Sequence, residues 1–171
     1  MNGLEKNLKK KFDENGNTAK SGKVDELILN QAKENFTIKN FNKSLDISDF
    51  DLSFVRGLSV EDGSATITNF TAYLIAQGIN HVANITKSNN GTYLICGGGR
   101  KNINLIERIK NTTPKNFIIQ LIDDYGIDGD YIESEAFAYL AIRSFLNLPI
   151  SFPGTTKCKV PTTGGVLIKN F

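Results

Sequence analysis

The sequence holds a single histidine, His81, so a cluster of histidine metal ligands is excluded on counting and a histidine-based catalytic triad has no support. His81 falls inside an ordinary helical pattern, where a solvated or internally satisfied role accounts for it. Cysteine is nearly as scarce. Cys96 ends an apolar stretch and Cys158 lies in a late polar loop; thiols in such different settings do not make a disulfide framework and fit a reduced, cytoplasmic protein. No apolar run reaches the length of a membrane span, and the opening Met1-Asn2-Gly3-Leu4-Glu5 has no signal-peptide character, so neither membrane insertion nor export is expected. A basic stripe is missing too. Lys and Arg number 20 against 18 Asp and Glu, for a net charge of +2, and the lysines are dispersed apart from Lys6 and Lys9 to Lys11. Nucleic acid is therefore not expected as a partner.

What is present suits one domain with a real core: 171 residues, 40% hydrophobic and 22% charged. The chain is organised around Tyr93-Leu94-Ile95-Cys96-Gly97-Gly98-Gly99-Arg100-Lys101-Asn102. A short run of strand formers stops at three glycines, and a helical pattern (Ile103, Leu105, Ile106, Ile109) begins straight after. Strand, glycine turn, helix is the predicted order. Glycines there bare the main chain to a ligand and leave the N–H groups of the first helical turn facing it, which suits a nucleotide. The run matches neither the G-x-G-x-x-G fingerprint nor the G-x-x-x-x-G-K-[ST] phosphate loop. A turn that merely permits close strand-to-helix packing would use the same residues, so both readings stand at this level.

Elsewhere the pattern predicts a weak helix around Leu4, Leu8 and Phe12, then a helix from Thr18 toward Phe36 with Val24, Leu27, Ile28 and Ala32 on one face. Residues 37–58 read as an irregular excursion anchored by Phe41, Phe50 and Phe54. Ser59 and Asp62 resemble a cap opening a long helix, with Ala65, Phe70, Leu74, Ile75, Ile79, Val82 and Ile85 available for burial. Phe117 to Ile122 is so apolar that it reads as a strand covered on both faces. Ile132 to Leu146 is the clearest helix, with Ala136, Phe137, Leu140, Ala141 and Phe145 toward a core, and Val166-Leu167-Ile168 is a candidate last strand. The alternation gives an α/β fold with parallel strands, though few of them.

The acidic stretch Asp123 to Asp130 contains a decoy. Asp124, Asp128, Gly129 and Glu135 fall at calcium-loop spacing, but Gly126 occupies a ligand position and a strand precedes the loop where that motif demands a helix. Glu133 and Glu135 open the last helix, where acids compensate the helix dipole. Glu133 gains a second reading if the neighbouring strand ends form a ligand cleft.

Read together, five segments resemble the C-terminal half of anhydro-N-acetylmuramic acid kinases. They are Phe12-Asp13-Glu14-Asn15-Gly16 with Ala19 and Ser21-Gly22-Lys23-Val24; Lys43-Ser44-Leu45-Asp46 with Asp49-Phe50; Ala65-Thr66-Ile67-Thr68 with Phe70-Thr71-Ala72; Cys96 to Asn102; and Gly129-Asp130-Tyr131-Ile132-Glu133 through Ala141. Their order and spacing cover nearly the whole chain. The resemblance implies a ribonuclease-H-like (actin-type ATPase) C-terminal domain with an incomplete sheet, residues 1–58 being a helical and irregular excursion and 59–171 the nucleotide-side core and tail. It also implies ATP-dependent, hydrolytic opening of a 1,6-anhydro sugar with phosphorylation at O6. On that reading Gly97, Gly98, Gly99, Arg100 and Asn102 bind the nucleotide, Glu133 is a candidate sugar-side residue, and Mg²⁺ accompanies ATP with no metal ligand in this chain.

Such kinases carry a Gly-Thr-Ser-Leu-Asp-Gly type phosphate loop, a Gly-Gly-Ile-Ala-Asn type loop and an Asp-x-Gly-Pro-Gly-Asn segment bearing the catalytic Asp. None of these occurs in the sequence. Asn42 stands where Pro is usual, Ile47 where a basic or polar residue is common, and Lys157 where Gly normally follows the Thr of the tail. Two expectations follow: a kinase half completed by an N-terminal half in trans, or a non-catalytic remnant that at most binds nucleotide. The strands that open the domain in these kinases would precede Met1, which implies an exposed apolar face, self-association or poor solubility, and a possible homodimer.

Overall fold

The computed structural model describes residues 12–36, 49–166 and 168. The predicted helix over residues 1–12 falls outside them except for Phe12, as do Phe41, Asn42, Leu45 and Ile47. Helices α1 (Asn17–Ser21), α2 (Glu26–Asn35) and α3 (Val60–Thr86) precede strand β1 (Gly91–Ile95), helix α4 (Ile103–Thr112), strand β2 (Phe117–Leu121) and helices α5 (Ile132–Phe145) and α6 (Pro153–Thr156). The two strands pair in parallel, Gly91 opposite Phe117 through Ile95 opposite Leu121. This is the α/β class with a small, open sheet.

The long helix α3 is the scaffold. Ser59 caps it, its Oγ accepting from the Asp62 N–H at 3.0 Å, and Lys87 in the left-handed region ends it. Its buried stripe is mostly small: Ala65, Ala72, Ala76, Ile79 and Ala83. Small residues let α4 and the sheet approach closely, and Ala72, Ile79 and Ala83 join Ile106, Ile109, Phe117 and Ile119 in one core. Because that stripe is narrow, Ile75, Val82 and Ile85, expected inside, are exposed. A second cluster unites Leu29, Ala32 and Phe70 with Phe36 and Phe54. Phe50 stacks on Phe36 at 5.5 Å, so the aromatics after residue 48 do anchor that segment.

The single helix expected from Thr18 to Phe36 is two. Between them Lys23 N–H donates to Asp62 Oδ1 at 2.7 Å and Asp25 N–H to the buried Thr66 Oγ1 at 3.1 Å. Asp25 then caps α2 by accepting from Ile28 N–H. Contacts to α3 thus claim the main chain that helix continuity would have used.

Three further expectations are corrected. Among the described residues the sheet is covered on one face only: Phe117 and Ile119 are buried, whereas Ile118 and Leu94 on the opposite face are exposed. Helix α5 buries none of its residues, and Phe137 and Phe145 are exposed. Val166 and Ile168 form no strand, and Leu167 lies outside the described residues; the tail pairs instead through an antiparallel bridge between Ser151 and Thr162. The common cause is that apolar residues reveal a face able to be buried, and the described residues supply no second layer to bury these.

Candidate functional site: the triglycine corner

Strand β1 leads into exposed Cys96 and then Gly97, whose φ of 77° is open to glycine at little cost. Residues Gly98–Lys101 make one tight turn, and Asn102 caps α4 by accepting from Leu105 N–H at 2.9 Å. Among the described residues, a β-carbon built on Gly97, Gly98 or Gly99 meets no heavy atom within 4 Å. Close packing of strand against helix therefore does not explain the glycines. Bare main chain faces open space at the carboxyl end of a parallel strand, where open α/β sheets take their ligands.

The corner is held from behind by Arg100. Its side chain is only 6% exposed. The guanidinium forks onto Asp123, Nε to Oδ2 at 2.7 Å and Nη2 to Oδ1 at 3.0 Å. Nη1 donates to Asp130 Oδ1 at 2.6 Å and to the Gly97 carbonyl at 3.1 Å. The Gly97 N–H in turn donates to the Gly129 carbonyl at 3.0 Å. The Gly97 N–H is thereby tied directly to the loop between β2 and α5, and its carbonyl is tied to the same loop through Arg100. Lys101 adds a bond to Asp130 Oδ2 at 2.5 Å. Charge-assisted bonds of this kind are short and directional, and a forked guanidinium fixes orientation as well as distance.

The hydrogen bond from Arg100 holds the Asp123 carboxyl down at about 2, against an ordinary 3.8. Arg100 and then Lys101 lower Asp130 in the same way, and the carboxylates hold the Arg100 proton more tightly than usual. The calcium-like spacing is thus answered by a cation within the chain. Asp128 lies 3.6 Å from Arg100 Nη2, and Asp124 accepts from Leu121 N–H. No group of three or more His, Cys, Asp or Glu able to hold a metal occurs among the described residues.

The sites expected from sequence therefore sort by role. Gly97, Gly98 and Gly99 present exposed main chain, Arg100 is turned inward, and Asn102 is engaged as a cap. Glu133 sits exposed in the first turn of α5, four residues beyond Gly129. Sequence reading missed Asp123, Gly129 and Asp130 as partners of Arg100. The signal was an acid-rich loop facing a chain region with one arginine, but its separation of 23 to 30 residues hides the pairing. A separate cavity of about 550 Å³ lies between α5 and the tail, lined by Phe137, Leu140, Ser144, Phe145 and Gly165 among others. It shares no residue with the corner.

Fold and corner define an α/β domain that offers bare main chain at a strand end. The family model for anhydro-N-acetylmuramic acid kinase matches residues 2–170. An anhydro-N-acetylmuramic acid kinase of Pelagibacter ubique is 54% identical over 163 residues, covering 94% of this chain and 44% of the relative. Those of Agrobacterium fabrum and Caulobacter vibrioides are 36% identical over 168 residues and 38% over 159, covering 97% and 92% of this chain but 44% and 41% of the relatives. The chain belongs to the anhydro-N-acetylmuramic acid kinase family, a family of sugar kinases. It spans less than half the length of the curated relatives it matches.

Proposed function

We propose that this chain is the C-terminal, nucleotide-side part of an ATP-dependent 1,6-anhydro-N-acetylmuramic acid kinase, built as one ribonuclease-H-like domain of the actin-type ATPase class. The observation that carries the reading is the open glycine corner, where three successive missing side chains have no packing reason within the described residues. Adenosine would rest on the main chain of Gly97 to Gly99, with Arg100 and Asn102 shaping the loop from beneath. Glu133, on the adjoining helix start, would face the sugar. In the reaction water adds at C1 and opens the anhydro bridge, and the freed O6 takes the γ-phosphoryl group of ATP, giving N-acetylmuramic acid 6-phosphate and ADP. Mg²⁺ would arrive with the nucleotide, neutralising its phosphate charge. This chain's share is to seat adenosine and hold the sugar side; the phosphate loop and catalytic Asp would come from the N-terminal portion that the relatives carry. Peptidoglycan recycling in the cytoplasm is the setting that fits this chemistry. No helix among the described residues is long and apolar enough to cross a membrane.

The test combines the chain with the N-terminal portion of the Pelagibacter ubique relative, ATP, Mg²⁺ and the anhydro sugar. Formation of the 6-phosphate, followed by mass spectrometry, is the expected result; no product under saturating conditions contradicts it. One observation favours the second reading, a non-catalytic nucleotide-binding remnant. Lys157, which replaces the usual Gly of this family's tail, is held at φ 57°, a left-handed conformation that costs a lysine on the order of 1 kcal/mol.

A further inference from the structure

We propose that Arg100 is a positioning residue that joins the triglycine corner and the start of α5 into one mechanical unit, so that a ligand seated on the glycines is felt at Glu133. The inference rests on the nucleotide reading above and adds a role to a side chain buried behind the corner. Three observations carry it. First, the guanidinium is buried and bonds to the chain itself: to Asp123 in the turn after β2, to Asp130 just before α5, and to the Gly97 carbonyl. Second, the Gly97 N–H reaches the Gly129 carbonyl, so the two loops are tied by main chain as well. Third, Gly129 is buried against the guanidinium, with a β-carbon there only 2.4 Å from Nε. Asp130 is three residues before Glu133, and the Glu135 N–H donates to the carbonyl of Tyr131, the residue after Asp130, at 2.8 Å, continuing the tie into the helix. A shift of the Gly97 peptide must therefore move Arg100, and Arg100 must move Asp130. Lysine could keep the charge but not the fork.

The experiment is amide hydrogen exchange on the full chain, with and without Mg·ADP, for the wild type, Arg100→Lys and Asp130→Asn. Without nucleotide, Arg100→Lys should speed exchange of segments 97–101 and 129–136 together, by about tenfold. With nucleotide, the wild type should be shielded in both segments. In Asp130→Asn, which keeps the fork to Asp123 and the main-chain tie between Gly97 and Gly129, shielding should persist at the glycines and weaken at 129–136. A merely structural role would lower the melting temperature without separating the two shieldings. Shielding at 129–136 that is undiminished in Asp130→Asn, or loosening of one segment alone in Arg100→Lys, overturns the inference. Absence of shielding in the wild type overturns the nucleotide reading instead, and the ligand-free exchange of Arg100→Lys still decides whether the two loops move as one.

Discussion

Gly129 lies against the Arg100 guanidinium so closely that a β-carbon at residue 129 would stand 2.4 Å from Nε and 2.8 Å from Cζ. The contact leaves no room for any other residue, although nothing about the Gly129 backbone is left-handed. Gly129→Ala is expected to destabilise the chain by about 1–3 kcal/mol, the usual cost of an overpacked site. Urea denaturation checks it. Unchanged stability would mean that the guanidinium can move aside freely, which its carboxylate partners argue against.

Asn102 tests capping against ligand contact. Its Oδ1 accepts from Leu105 N–H, so Asn102→Ala should cost about 1 kcal/mol while Asn102→Asp, an equally good cap, should cost almost nothing. If Asn102 acts on the nucleotide only by shaping α4, Asn102→Asp should also bind ADP as the wild type does in calorimetry. A stable Asn102→Asp chain that loses nucleotide would show that the amide itself touches the ligand.

The Arg100 brace makes stability fall in acid. Asp123 and Asp130 have lowered pKa values in the folded chain, so the unfolded chain takes up protons first as pH drops. Their contribution is complete above the ordinary carboxylate value of 3.8 and fades as pH falls toward the folded Asp123 value of about 2. Denaturation midpoints measured from pH 5 to pH 2 should decline across that window, less steeply in Asp123→Asn. An equal slope in wild type and variant would remove Asp123 as the cause.

The uncovered sheet face predicts association. Leu94 is 44% and Ile118 55% exposed on one side of β1 and β2. The chain alone should sediment as more than a monomer, and Ile118→Lys should shift it toward monomer without loss of helical signal. A wild-type chain that is monomeric and unfolds cooperatively at high concentration would contradict this.

Much of the site was legible in sequence because it rests on local signals. Three glycines between an apolar run and a helical period mark a corner, Ser59 ahead of Asp62 marks a cap, and Asn102 stands where α4 needs one. Burial was less legible. Phe137 and Phe145 of α5 and Ile118 of β2 read as core, yet are exposed, because periodicity reports which face can be buried and not whether a layer is there to bury it. The break between α1 and α2 was invisible because it depends on Asp62 and Thr66, 39 and 41 residues away from Lys23 and Asp25. Arg100 was legible as important while its partners were not: its neighbours in sequence are glycines that invite a ligand, and the acids it pairs with, Asp123 and Asp130, are brought in by the loop after β2.

The most direct measurement is a titration of the glycine-labelled (¹⁵N) chain with Mg·ADP, followed by NMR. The amide signals of Gly97, Gly98 and Gly99 should shift together and saturably, while Gly57 and Gly154, equally open but far along the chain, stay in place. Saturating nucleotide that leaves the three corner signals where they were would contradict the account.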